Sequence, residues 1–104
     1  MEGENNDKGK MISGVAWYKP NQWKKLLHYA ADSEDLEKTY LEWKHNAESA
    51  IRQMQIMGIT IIKVDVDVEE IREWCRKKGH PLDSRARSEF VSEKLREKHD
   101  QDNP

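Results

Sequence analysis

The chain has 104 residues, which is enough for one domain. Charged side chains make up 37% of it, above the roughly 25% of typical domains, yet the net charge is only −2. Because nucleic-acid-binding domains usually carry a clear basic excess, this balance argues against a general nucleic-acid binder. A single cysteine excludes an internal disulfide framework, and no apolar run approaches the roughly 18 residues that a membrane span needs.

Apolar residues are scarce, which bounds the size of the core. Leucine, isoleucine, valine and phenylalanine contribute 19 of the 104 residues, although four tryptophans add apolar area. We therefore expect one helix-rich globular domain over 11–98 with a thin core. The polar stretch MEGENNDKGK predicts a disordered tail over 1–10 and no signal peptide, and we expect a frayed C-terminus over 99–104. The single cysteine and this polar start favour a cytoplasmic location.

The first part of the chain predicts a strand followed by a helix. Residues 11–18, MISGVAWY, carry the strand pattern, although Gly14 weakens it. A helix is predicted over 20–31, where apolar residues recur at helical spacing. Tyr18 and Trp23 occupy the two positions of a hydrophobic staple around the start of this helix.

A long second helix is predicted over 34–57, with Ser33 as its cap. Its apolar residues alternate at spacings of four and three, which is a heptad pattern: Leu36, Tyr40, Trp43, Ala47, Ala50, Met54 and Met57. This pattern indicates packing on the sheet and on a neighbouring helix, with self-association as the alternative.

The stretch 58–75, GITIIKVDVDVEEIREWC, predicts a strand that runs directly into a capped helix. Residues 59–62 are apolar on both faces, so we expect the strand to be covered from two sides at its start. Apolar and polar residues alternate after that, so we expect the strand to emerge into water at its end. Asp67 and Glu70 have the spacing of a capping box, and Gly79 ends the helix.

A last helix is predicted to begin at Asp83 or Ser84 and to run to about Lys98. The element order is then β-α-α-β-α-α, which predicts an α+β or small α/β fold with two strands covered by about four helices. Strand direction and order stay open. Two strands alone form a poor sheet in water, so a homodimer with a shared sheet is one solution, and four covering helices in a monomer are another.

Few residues suggest chemistry. Asp65 and Asp67 form a D-x-D at a strand end that could bind a hard cation such as Mg²⁺, but a solvent-facing aspartate beside a helix cap explains the pair as well. Cys75 and His80 lack the further ligands of a zinc site, and Cys75 is better explained as a small core residue. We therefore expect no catalytic residue and no cofactor.

Two groups of residues are candidates for contacts with partners. A basic cluster surrounds the turn before the last helix and consists of Arg76, Lys77, Lys78, His80, Arg85 and Arg87. It could contact phosphate, nucleic acid or an acidic partner, or it could be a plain solvated face. Trp17 and Tyr18, at the end of the first strand, are the best candidates for an exposed aromatic contact.

The combination of AWYKPNQW, TYLEW, KVDVDVEEIREWC and RARSEFVSEKL resembles a group of small, uncharacterised bacterial proteins over roughly residues 15–95. The resemblance implies a bacterial cytosolic protein and supplies no catalytic residue.

Three functions compete. The sequence favours a non-enzymatic protein-interaction or assembly module, with a homodimer or another protein as partner and no membrane. The first alternative is a nucleic-acid or phosphate-ligand binder that uses the basic cluster 76–87. The second is a small metal-dependent enzyme that uses Asp65 and Asp67. One observation separates these functions, namely whether four charged residues lie in one cleft: Asp65, Asp67, Arg85 and Arg87. If they do, the ligand-binding and enzyme hypotheses are favoured, and if they lie apart, the interaction module is favoured.

Overall fold

The structure, a computed structural model, describes residues 11–102, with side chains through Lys98. The predicted tail 1–10 and residues 103–104 lie outside the described residues. In chain order the elements are β1 (Met11–Trp17), α1 (Pro20–Tyr29), a 3-10 turn (Ser33–Asp35), α2 (Tyr40–Ile56), β2 (Ile59–Asp65), α3 (Val68–Lys78) and α4 (Ser84–Asp102). The predicted α+β class, two strands and four helices, is confirmed, and α4 continues past its predicted end near Lys98.

The two strands pair in parallel, which the sequence had left open. Their register runs from Met11 opposite Ile59 to Trp17 opposite Asp65, so both strands begin at the same end of the sheet. Helix α4 covers one face, since a Cβ atom on Gly14 would lie 3.0 Å from Val91 and 3.2 Å from Leu95. Helix α2 covers the opposite face, where the rings of Trp17 and Trp43 lie 4.9 Å apart.

The core lies at the C-terminal end of the sheet, which reverses our expectation for β2. Val66 and Val68 are buried, whereas Ile59, Ile61 and Ile62 are only half-buried. The expectation that 59–62 is covered from both sides was wrong. In the described part of the chain β2 is an edge strand of a two-stranded sheet, so one helix on each face leaves its apolar residues only half-buried. Helices α1, α3 and α4 meet beyond the strand ends and enclose the main cluster: Tyr18, Trp23, Leu26, Ala30, Val66, Val68, Ile71, Cys75, Leu82, Ala86, Phe90 and Val91.

The start of α3 confirms the predicted cap. The Asp67 carboxylate accepts hydrogen bonds from the amides of Glu69 and Glu70, at 2.9 and 3.2 Å. The side-chain oxygen of Gln22 on α1 accepts from the Val68 amide at 2.6 Å, which ties α1 to α3. The Glu70 carboxylate pairs with Lys94 of α4 and so does not complete a capping box. Gly79 ends α3 in the left-handed region, with φ of 72°.

The second helix begins six residues later than predicted. Ser33 starts a short 3-10 turn, and α2 begins at Tyr40 with Thr39 as its cap. Thr39 and Glu42 form a reciprocal capping box, in which each side chain accepts from the other residue's amide. The Trp23 indole on α1 also donates to the Glu37 carbonyl at 3.1 Å, and this bond ties the segment before α2 to α1.

The heptad pattern does not describe how α2 packs. Leu36 precedes the helix, Ala50 is exposed and Met57 is 69% exposed, while Ile51 is the buried residue of the second half. The late start of α2 removes the first turn of the pattern. Within residues 11–102, no helix combines the length and the apolar character needed to cross a membrane.

Candidate interaction surfaces

The basic cluster is not a free positive surface, because four of its six residues lie against carboxylates. Arg76 pairs with Glu73, Lys78 with Glu93, Arg85 with Glu89 and Arg87 with Asp32. The acidic partners come from two helices, α3 and α4, and from the loop before the 3-10 turn, so the charges are matched locally. This arrangement argues against phosphate or nucleic-acid recognition by these residues.

Asp65, Asp67, Arg85 and Arg87 do not line one cleft. Arg87 lines a cleft beside β1, whereas Asp65 lines a separate groove beside β2. Asp67 caps α3, and Arg85 lies exposed on α4. Among the described residues no group of three or more histidine, cysteine, aspartate or glutamate side chains could hold a metal ion.

Cys75 is buried on α3, where it contacts the core and its Sγ lies 3.8 Å from the Pro81 carbonyl oxygen. Burial raises the pKa of the Cys75 thiol, which disfavours the nucleophilic thiolate. The structure therefore places Cys75 as a small core residue.

Tyr18 was wrongly predicted as an exposed contact residue. The chain turns inward directly after β1, so Tyr18 is only 3% exposed and packs edge-on against Trp23 and Trp43, with ring centroids 5.6 and 5.3 Å away. The contact with Trp23 confirms the predicted hydrophobic staple. Trp17 is half-buried between Trp43 and the Lys63 amine, which lies 4.0 Å from its ring centroid.

The Tyr18 hydroxyl is buried and, within the described part of the chain, has no hydrogen-bond partner. Burial raises the pKa of Tyr18 to about 12, while the charge of Arg87 lowers it and that of Asp32 raises it. Arg87 and Asp32 form two parallel hydrogen bonds of 2.9 and 2.7 Å, and these bonds hold the pKa of the Asp32 carboxyl below its usual value. The phenol therefore stays protonated beside a charge-matched pair.

A patch of exposed apolar side chains lies at the end of the sheet where both strands begin. We call it the apolar end, and it comprises Met11 (63% exposed), Ile12 (57%), Ile56 (85%) and Met57 (69%). The parallel register brings the start of β1 beside the start of β2, and Ile56 and Met57 lie at the end of α2, separated from β2 by Gly58. Large exposed apolar side chains grouped at one end of a sheet are candidates for a protein-protein contact site.

A cleft of about 460 Å³ lies along the outer edge of β1. Three consecutive strand residues line it, Gly14, Val15 and Ala16, together with Ala47 from α2 and Val91 from α4. Because α2 and α4 cover opposite faces of the sheet, a space that both of them line must lie at the strand edge. We call this space the β1 cleft. Its remaining lining residues are Tyr18, Trp23, Leu26, Leu36, Glu37, Trp43, Asn46, Ser84, Arg87 and Ser88.

Sequence reasoning missed both the apolar end and the β1 cleft. A parallel strand pair places the two strand starts together, so strand direction would have joined Met11 and Ile12 to the residues before β2. Small residues at helical spacing, Ser84 and Ser88 on α4, were the available signal for the cleft, because short side chains leave room beside a helix.

The chain matches no protein-family model, and comparisons with curated proteins and with solved structures find no similar chain. The resemblance to small bacterial proteins therefore stays a prediction.

Proposed function

We propose that this protein is a non-enzymatic assembly module that associates with a second copy of itself through the apolar end. The observation that carries this proposal is the clustering of four large, mostly exposed apolar side chains at one end of a two-stranded sheet. Burying a side chain such as isoleucine or methionine contributes about 1.5–3 kcal/mol, so covering this patch is a substantial driving force.

A second copy is the occupant that fits the patch best. In a two-fold dimer the same patch faces itself, so an apolar surface meets an apolar surface without any further partner. The adjoining residues 1–10, MEGENNDKGK, offer a single large apolar side chain, Met1, and are poorly suited to cover it. The half-buried isoleucines 59, 61 and 62 lie beside the same end and would lose more water on association.

Sedimentation of the full chain from micromolar to millimolar concentration tests the proposal, with Ile56→Glu as the disrupting variant. The wild type should dimerise with increasing concentration. Ile56 would be buried twice in a two-fold dimer, so we expect Ile56→Glu to raise the dissociation constant at least tenfold, which corresponds to about 1.4 kcal/mol.

Leu41→Glu is the matched control, because Leu41 lies on the same helix and is 74% exposed. It lies 15 residues before Ile56, about 22 Å along the helix axis, and outside the apolar end. It should leave the dissociation constant unchanged. A wild-type chain that stays monomeric throughout, or equal weakening by both substitutions, would contradict the proposal.

A further inference from the structure

The β1 cleft lies along a strand edge beside which no further strand pairs among residues 11–102. The Trp17 carbonyl accepts a hydrogen bond from the Val66 amide at 3.0 Å, so it points toward β2. The backbone groups of successive residues in a parallel strand point to alternate sides, so those of Gly14 and Ala16 point away from β2. These two residues line the cleft, and their amides and carbonyls are the groups that a further strand would pair with.

The position of this strand edge limits which binding partners can pair with it. Helices α2 and α4 flank the edge from opposite faces of the sheet, so the backbone of β1 lies between two helices. A folded second copy carries its own β1 between its own helices, and the two flanks would collide before the strands met. A single extended segment is narrow enough to enter. The free edge of β2 differs, since α4 alone lines the groove beside it.

The charges in the β1 cleft favour a basic segment. The charged residues that line it are Glu37 and Arg87, and the charge of Arg87 is matched by Asp32. The Glu37 carboxylate accepts a hydrogen bond at 2.9 Å from Asn46, which is neutral, so within the described part of the chain its negative charge is not matched by a salt bridge. An extended segment with a lysine or arginine near Glu37 would balance it.

We propose that the β1 cleft binds an extended peptide segment of a partner protein, carrying a basic side chain, which adds to β1 as a third strand. Hydrogen bonds to the backbone of Gly14 and Ala16 supply the affinity, as in other cases of strand addition, and the Glu37 carboxylate supplies the preference for a basic residue. This site is separate from the apolar end and does not depend on self-association.

Titration of the full chain with a capped peptide of sequence Thr-Val-Lys-Val-Thr tests the proposal, with the amide resonances of Gly14 and Ala16 followed by NMR. We expect saturable shifts of both amides with a dissociation constant below about 1 mM, that is, at least about 4 kcal/mol of binding free energy. The same peptide with every backbone amide methylated should not bind, because it cannot donate to the strand edge. Replacing its lysine by glutamate should weaken binding about two- to fivefold, the range of an exposed ion pair.

Variants of the protein locate the site. Ser88→Tyr fills the β1 cleft from an exposed position and should abolish binding, whereas Ser92→Tyr, one turn further along α4 and outside the cleft, should not. Glu37→Gln should remove the preference for lysine over glutamate in the peptide while leaving the Trp23 bond to the Glu37 backbone in place. Absence of saturable shifts, equal binding of the methylated peptide, or shifts confined to the apolar end would overturn the proposal.

Discussion

Replacing Tyr18 by phenylalanine should leave the protein at least as stable at neutral pH, against the usual effect of such a change. Replacing a buried, hydrogen-bonded tyrosine by phenylalanine normally lowers the free energy of unfolding by about 0.5–1.5 kcal/mol. A buried hydroxyl without a hydrogen bond instead destabilises the folded state by about 1–3 kcal/mol. Among the described residues, the Tyr18 hydroxyl is buried and has no hydrogen-bond partner, so removing it should not destabilise the fold. Tyr18→Phe should therefore raise the free energy of unfolding, or leave it unchanged where the fold relaxes around the hydroxyl.

The same residue predicts a difference in alkaline solution. Burial raises the pKa of Tyr18 to about 12, above its ordinary value of 10.0. A group whose pKa is raised by folding favours the folded state fully below its unfolded pKa, and that contribution is lost as the pH rises toward the folded value. A shift of about two units amounts to about 2.7 kcal/mol in all, and about 1.4 kcal/mol of this should be lost by pH 11.

Urea unfolding of wild type and Tyr18→Phe, followed by far-ultraviolet circular dichroism between pH 7 and pH 11, measures both effects. Other titrating groups are common to the two proteins, so the difference between them isolates Tyr18. The variant should gain about 1.4 kcal/mol relative to wild type between pH 8 and pH 11. A loss of more than about 1 kcal/mol at pH 7 would show that the hydroxyl is hydrogen-bonded, and a difference independent of pH would refute its burial.

Three further substitutions test the contacts that hold the elements together. Arg87→Ala should lower the free energy of unfolding, measured in urea, by about 2 kcal/mol, because it leaves the largely buried carboxylate of Asp32 unpaired. The lowered pKa of Asp32 predicts that the wild type loses stability below about pH 4, and this loss should be smaller in the variant. Asp67→Ala should cost about 1 kcal/mol through the lost α3 cap, with Asp67→Asn restoring most of it. Gly79→Ala should lower the free energy of unfolding by about 1 kcal/mol, because the left-handed backbone conformation is unfavourable for alanine; a Cβ there would meet no atom within 4 Å, so no clash contributes. An unchanged urea midpoint would contradict the left-handed cap.

The unit formed by β2 and α3 shows where sequence reasoning succeeds. Its boundaries depend on local signals, namely β-branched residues, the Asp67 cap and the two glycines of positive φ, Gly58 and Gly79. Each of these acts within a few residues and is visible without knowledge of the fold. The start of α2 was equally local, but two competing caps lay close together, and the Thr39 and Glu42 pair was overlooked.

The candidate sites show where such reasoning fails. Trp17 and Tyr18 are neighbours at the end of β1, and the sequence does not distinguish them. Tyr18 is buried because the chain turns toward the core directly after β1. In the basic cluster, Arg87 looked free because its partner Asp32 lies 55 residues away in the sequence, whereas Arg76 and Arg85 pair with carboxylates within four residues. The apolar end and the β1 cleft likewise join residues from elements that are far apart in the chain.

The sequence by itself determined the element order, most of the caps and the α+β class, because hydrophobic periodicity and capping act between neighbouring residues. Only the tertiary structure decided that the core lies beyond the C-terminal end of β2, that the strands run parallel, and that Arg87 is paired with Asp32. The physical reason is that burial and charge pairing depend on distances in space between residues that are remote along the chain. The composition of an aliphatic segment such as ITIIKV shows that it can be buried. How much of it is buried depends on the strands and helices that pack beside it in the fold.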